Sequence, residues 1–265
     1  MTIEITTRFS FSTDQPTDLL LQFEAANIPE QTVQQTTCTL DGSHRIARIT
    51  SEDDVGERIW MRAEGRVDVE YSATVELERL APDIAALDQL APHDLPAVTV
   101  KYLLDSRYCP SDRFQSFVNS EFQGTSGGKR VLAIRDWIAD HFSYEPGSSD
   151  ANTTSVDSFV ERRGICRDYA HVLIAMTRAS TIPARFVSCY APNVDPPDFH
   201  ALAEVFLADP TIEGGGAWYI VDATDMASAT DTVKIGVGRD AADVSFMTSF
   251  GASRFLDKTV EVKAV

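Results

Sequence analysis

Hydrophobic and polar positions alternate with period two through much of the first 80 residues. The longest run spans 66–78, where Val67, Val69, Tyr71, Ala73, Val75 and Leu77 alternate with Asp68, Glu70, Ser72, Thr74, Glu76 and Glu78. That period over that length predicts a strand with one wet face. Residues 2–11, 18–23 and 44–50 read as further strands, divided by turn signals at 14–16, 41–42 and 53–56. Strands without intervening helices predict a small all-β sandwich domain over residues 1–80. His44 falls in this region as a surface strand residue, and no chemistry-bearing motif accompanies it.

The texture changes after Leu80. Pro82, Pro92 and Pro96 punctuate residues 81–100, which read as a linker holding a short helix at 82–90. Helical spacing follows. Ser111 caps a segment carrying Phe114, Phe117, Val118 and Phe122, and a second helix covers 129–142 with His141 near its end, where a cation suits the dipole. Residues 143–154 form a polar loop, and Thr154 or Ser155 caps a short helix through Phe159. A helix beginning at Cys166 is apolar on most sides and ends near Ser180, before Pro183. Strand patterns return at 184–191, 200–207, 218–222, 233–237 and 258–265, with a turn at Gly214, Gly215 and Gly216. Helices first and antiparallel strands after make residues 101–265 an α+β domain.

Composition narrows the function classes. A net charge of -17 argues against a nucleic-acid surface. No apolar run approaches the ~20 residues of a membrane-spanning helix, and the first residues have neither a basic start nor an apolar stretch of signal-peptide type. Cys38, Cys109, Cys166 and Cys189 are scattered without a close pair, which points to reduced thiols and a cytoplasmic setting.

Chemistry centres on Cys166. A thiol at the first turn of a buried helix faces unpaired N–H groups and the positive end of the dipole, and both favour a thiolate. Such a nucleophile needs a base, and the base needs a group to orient it. His171 lies five positions on, about 140° round the helix, and points away. His200 opens a strand after a loop, and Asp222 ends the next strand. In an antiparallel pair the start of one strand lies beside the end of the next, so these two become neighbours. A buried structural cysteine, a capping histidine and a turn aspartate would account for the same three residues. A metal site made of them is disfavoured, because metal-binding cysteines usually come in close pairs.

A resemblance adds specificity. The run from Gly164 through Ile165, Cys166, Arg167, Asp168, Tyr169 and Ala170 to His171 is similar to the transglutaminase-like family signature, its bacterial members in particular. So are Ile182, Pro183, Ala184 and Arg185, the block His200–Ala201–Leu202–Ala203–Glu204, and the block from Trp218 to Asp222 and Thr224. Segments 102–113 and 238–244 resemble the opening of the core and a downstream block, so the likeness covers about residues 100–265. It departs at Leu202, where an aromatic is usual, and at Ala223, where proline is usual. Both residues bear on substrate fit.

The resemblance implies a papain-like core preceded by the β domain, with Cys166 as nucleophile, His200 as base and acid, and Asp222 orienting His200. The oxyanion hole would use the Cys166 N–H and a second donor from the loop at 143–154. Asp168 is expected to support the helix start, Glu204 to lie behind the site or on a wet strand face, and Arg239 and Asp243 to pin the tail. The expected function is a cysteine hydrolase of amide, peptide or isopeptide bonds acting through a thioester on a protein or peptide substrate. Neither cofactor nor metal is called for. Acyl transfer to an amine, or a non-catalytic peptide-binding module on the same fold, are the alternatives. Hydrolysis is favoured because no calcium-site pattern is present and bacterial relatives look protease-like.

Overall fold

The computed structural model describes residues 1–209, 211 and 215–265. Three long antiparallel strands open the chain: β1 (Thr2–Leu21), β2 (Gln31–Thr50) and β3 (Glu57–Leu77). The expected turns at 14–16 and 41–42 do not reverse the chain. They lie inside strands, where the pairing register on β3 shifts between Thr13 and Thr17 and between Asp41 and Ser43. Gly42 takes a left-handed φ of 86°, and a Cβ there would stand 2.3 Å from the Arg66 carbonyl oxygen. Turn-type residues at these points make bulges that bend a strand without ending it. The signal at 53–56 does reverse the chain, with a 3-10 turn at Glu52–Asp54.

The N-terminal region is strand-rich and antiparallel, as expected, but its second layer comes from elsewhere in the chain. β1, β2 and β3 lie in one five-stranded sheet whose other two strands, both paired to β1, are drawn from the C-terminal part of the chain. The buried face of this sheet, including Ile3, Phe9, Phe11, Leu19 and Val69, packs against Tyr190, Val233 and Ile235. Period-two alternation shows that a face is buried without showing what buries it.

Residues 81–100 hold 3-10 turns at Ile84–Ala86 and Pro92–Asp94, then the one-turn helix α1 (Ala97–Val100). The helix expected at 82–90 is therefore only a turn, in which the Asp83 side chain accepts from Ala85 N. The helices α2 (Gln115–Glu121), α3 (Gly127–His141), α4 (Ser155–Glu161) and α5 (Cys166–Ala179) follow. Thr154 caps α4 reciprocally with Asp157. The two-residue strands β4 (Ser143–Tyr144) and β5 (Arg163–Gly164) pair in parallel and deliver the chain into α5.

Four strands then form an antiparallel sheet, β6 (Ala184–Tyr190), β7 (His200–Ala208), β8 (Gly216–Val221) and β9 (Val233–Gly238), in the order β8-β7-β6-β9. Ala201, Ala203, Val205 and Leu207 of β7 share a core with α5. Val172, Leu173, Ile174 and Met176 of that helix are completely buried. Cutting one such side chain back to alanine typically costs about 2–5 kcal/mol. Of the turn expected at Gly214–Gly216, Gly214 lies outside the described residues and Gly216 opens β8.

The chain ends with β10 (Met247–Ser249) and β11 (Arg254–Ala264), the two strands that complete the first sheet. β11 pairs with residues 3–12 of β1 and β10 with residues 19–21. The C-terminal strand thus crosses back over the division drawn at residues 81–100.

Candidate active site

Cys166 is the first residue of α5, and the chain reaches it by a constrained path. A Cβ on Gly164 would stand 2.5 Å from the Asp168 Cβ, so glycine is needed for Asp168 to fold back over the helix start. There the fully buried Asp168 carboxylate accepts from Ile165 N at 2.9 Å and from Ser149 Oγ at 2.6 Å. The role expected for Asp168 at the helix end holds, and the contact also ties the preceding loop to the cysteine. Arg167 reinforces it by donating to the Asp150 carbonyl at 2.7 Å. The Cys166 side chain ends at the floor of a cleft, 9% exposed.

His200 begins β7, and Asp222 follows the last residue of β8. Their pairing follows from strand ends alone: Nε2 of His200 donates to Oδ2 of Asp222 at 2.9 Å. Thr224 N and Oγ1 and the N–H groups of Met226 and Ala227 also donate to the Asp222 carboxylate. Burial pushes the Asp222 pKa up, but His200 and the Thr224 donors outweigh it and hold it below the usual carboxylate value. Arg79, at the end of the first sheet, donates to the carbonyls of Ala229 and Thr232 at 2.8 Å each, fixing the segment that holds Asp222.

With Nε2 occupied, Nδ1 is the free nitrogen of His200; it is buried and has no hydrogen-bond partner. Cys166 is the neighbour that acts on it. Burial opposes the charged imidazole, yet the hydrogen bond to Asp222 and the nearby Cys166 raise its pKa to about 10. That value keeps the ring protonated near neutral pH, between Cys166 and the Asp222 carboxylate. His171 stands apart from this group. It is fully buried and stacked on Tyr108, with ring centroids 5.1 Å apart, and its Nε2 accepts from Ala241 N at 3.2 Å. Burial first, then Arg167 and Arg178, push its pKa well below 6.5, so it is neutral.

Tyr144 was not singled out by the sequence. β4 pairs it with Gly164, two residues before Cys166, and it lines the same cleft as Cys166 and His200. Burial and then the neighbouring cysteine raise the Tyr144 pKa, so the phenol keeps its proton. One signal was legible: Tyr144 is the only aromatic in the polar loop at 143–154.

Glu204 is neither on a wet face nor in contact with the cysteine. It is completely buried between Arg185, with Nη2 at 2.7 Å, and Lys234, with Nζ at 2.5 Å. Arg185 reaches Asp53 at 3.0 Å and Lys234 reaches Glu30 at 2.8 Å, so the cluster joins the sheet that carries His200 to loops of the first sheet. Arg239 and Asp243 pair at 2.9 Å, as expected of residues that pin the tail. His141 sits at the end of α3, with Nδ1 2.7 Å from the Trp137 carbonyl oxygen.

A cleft of about 460 Å³ opens at Cys166 and His200. Its walls come from the 143–154 loop, β6, the segment before His200, and residues 241–247 and Lys258 of the C-terminal region. All four cysteines are unpaired. Among the described residues, no group of three or more His, Cys, Asp or Glu side chains is arranged to hold a metal ion, and no helix is long and apolar enough to cross a membrane.

This fold and cleft are those of a cysteine-protease-like protein, and the comparisons agree. The model of the transglutaminase-like superfamily matches residues 116–223, the interval that contains Cys166, His200 and Asp222. The crystal structure of a candidate cysteine protease from Cytophaga hutchinsonii superposes with a TM-score of 0.91 at 31% identity, covering 99% of this chain and 90% of that one. An uncharacterized protein of Mycobacterium leprae is 25% identical over 210 residues, 73% of this chain and 72% of its own length. Another, from Mycobacterium tuberculosis, is 34% identical over 125 residues, which are 43% of this chain and 38% of that protein. The chain belongs to the transglutaminase-like superfamily.

Proposed function

We propose that the protein is a cysteine hydrolase that cleaves amide, peptide or isopeptide bonds through a thioester on Cys166. The observation that carries this reading is the His200 ring, held through Nε2 by Asp222 at 2.9 Å, with Nδ1 buried and left for the thiol. An imidazolium beside a thiol at a helix N-terminus favours the thiolate. The Cys166 sulfur attacks the substrate carbonyl carbon. The oxyanion that forms takes hydrogen bonds from the Cys166 N–H and from the hydroxyl of Tyr144, which lines the same cleft. His200 then gives its Nδ1 proton to the departing amine, leaving a thioester. A water deprotonated by the same nitrogen attacks the thioester, and the acid leaves as the thiol re-forms. Asp222 keeps one tautomer and one ring orientation throughout.

Alkylation by iodoacetamide tests the nucleophile. At pH 6, Cys166 should react far faster than Cys38, Cys109 and Cys189, and His200→Ala should slow it at least tenfold. Burial raises the Cys38 and Cys109 thiols to about 12, so they should stay inert. Equal labelling of all four thiols would sink the ion-pair reading. Product analysis with an added primary amine separates hydrolysis from transfer: free carboxylate whatever the amine is expected, and an amide of the added amine as the main product would make the protein a transferase.

A further inference from the structure

We infer that the cleft at Cys166 selects an acyl donor whose side chain is large and apolar, aromatic or branched aliphatic. The inference rests on Cys166 being the nucleophile. Five apolar side chains, Phe186, Phe199, Val244, Phe246 and Met247, line the cleft together with Cys166 and His200. Phe199 and Phe246 are stacked, with centroids 5.1 Å apart and planes at 15°. Phe9 and Phe255 meet Phe246 edge-on from other sides, at 5.9 and 5.6 Å. This aromatic wall is fixed from behind by the first sheet and is formed before any substrate arrives.

The charged groups in the lining are already engaged. Lys258 is paired with Asp198 at 2.5 Å. Arg167 is held by Ser149, Asp150 and Asp168. Asp198 is the only acidic residue among the lining residues, although the whole chain carries a net charge of -17. A charged acyl side chain would lose water here and find no free partner. A large apolar one would leave water for a preformed apolar wall, an advantage of about ten- to a hundredfold in reaction rate.

The test uses peptidyl chloromethyl ketones, Ac-Ala-Ala-Xaa with Xaa as Phe, Leu, Ala, Asp or Lys. The Cys166 sulfur forms a bond to the methylene carbon and chloride leaves, so the rate reports fit without requiring turnover. Each second-order rate is divided by the iodoacetamide rate of the same protein. The Phe and Leu probes should react ten- to a hundredfold faster than the other three. Phe246→Ala and, as a milder change, Met247→Ser should each shrink the ratio of Phe to Ala. Ala, Asp or Lys probes as fast as Phe would overturn the inference. Iodoacetamide failing to prefer Cys166 over the other thiols would instead overturn the nucleophile, and this inference with it.

Discussion

Glu204→Gln keeps the shape of a buried side chain and removes its charge. In the parent, that charge meets Arg185 at 2.7 Å and Lys234 at 2.5 Å with no exposed surface. Burial alone would raise the Glu204 pKa; the two cations hold it down to about 2, from an ordinary 4.5. A depression of that size corresponds to about 3 kcal/mol of folding stability. Leaving two buried cations short of a partner costs a similar amount, about 3–5 kcal/mol, and the lower end applies because Asp53 and Glu30 still hold them. For a chain of this size about 3 kcal/mol is roughly 6–12 °C in Tm. The folded pKa is the lower one, so the contribution is present above 4.5 and is lost as pH falls toward 2. Thermal unfolding of parent and variant, followed by circular dichroism, should show the full gap at pH 7 and a narrowed gap near pH 3. A variant that melts within about 2 °C of the parent at pH 7, or a gap as wide at pH 3 as at pH 7, would refute the argument.

Two further changes probe the site itself. Tyr144→Phe removes the proposed second oxyanion donor from the cleft that holds Cys166 and should lower kcat about a hundredfold with little change in KM, read from steady-state kinetics on a cleaved peptide; an equal rise in KM would mean the hydroxyl binds substrate instead. Gly164→Ala places a Cβ 2.5 Å from that of Asp168, so it should cost about 1–3 kcal/mol in urea unfolding and slow Cys166 alkylation at pH 6; unchanged values in both assays would show that Asp168 moves freely.

Legibility differed by region for physical reasons. His200 and Asp222 could be placed side by side because antiparallel geometry alone brings such strand ends together, and they lie 2.9 Å apart. The Cys166 helix was legible from its apolar spacing, and its observed span is Cys166–Ala179. The bulges were not, because Asp, Gly and Pro interrupt a ladder and end a strand with the same residues; only the partner strand decides which. Tyr144 escaped because a two-residue parallel pairing leaves no periodicity. Glu204 alternates like any outward strand residue, and nothing local to it announces that Arg185 arrives from the neighbouring strand β6 and Lys234 from β9 beyond it. The aromatic wall was hidden for a related reason: Phe246 and Lys258 reach the cleft through pairing with β1, more than 200 residues earlier in the chain.

That last pairing also sets an order of events in the cell. Thr7 of β1 donates to the Thr259 carbonyl, 252 positions on. A ribosome delivers Cys166, His200 and Asp222 well before β11, the strand that carries Lys258 to the rim. Until then β1 presents an open edge, a liability for misassembly, and the nascent chain lacks part of the cleft lining. Synthesis of β11 therefore closes the sheet and completes the wall of the cleft together.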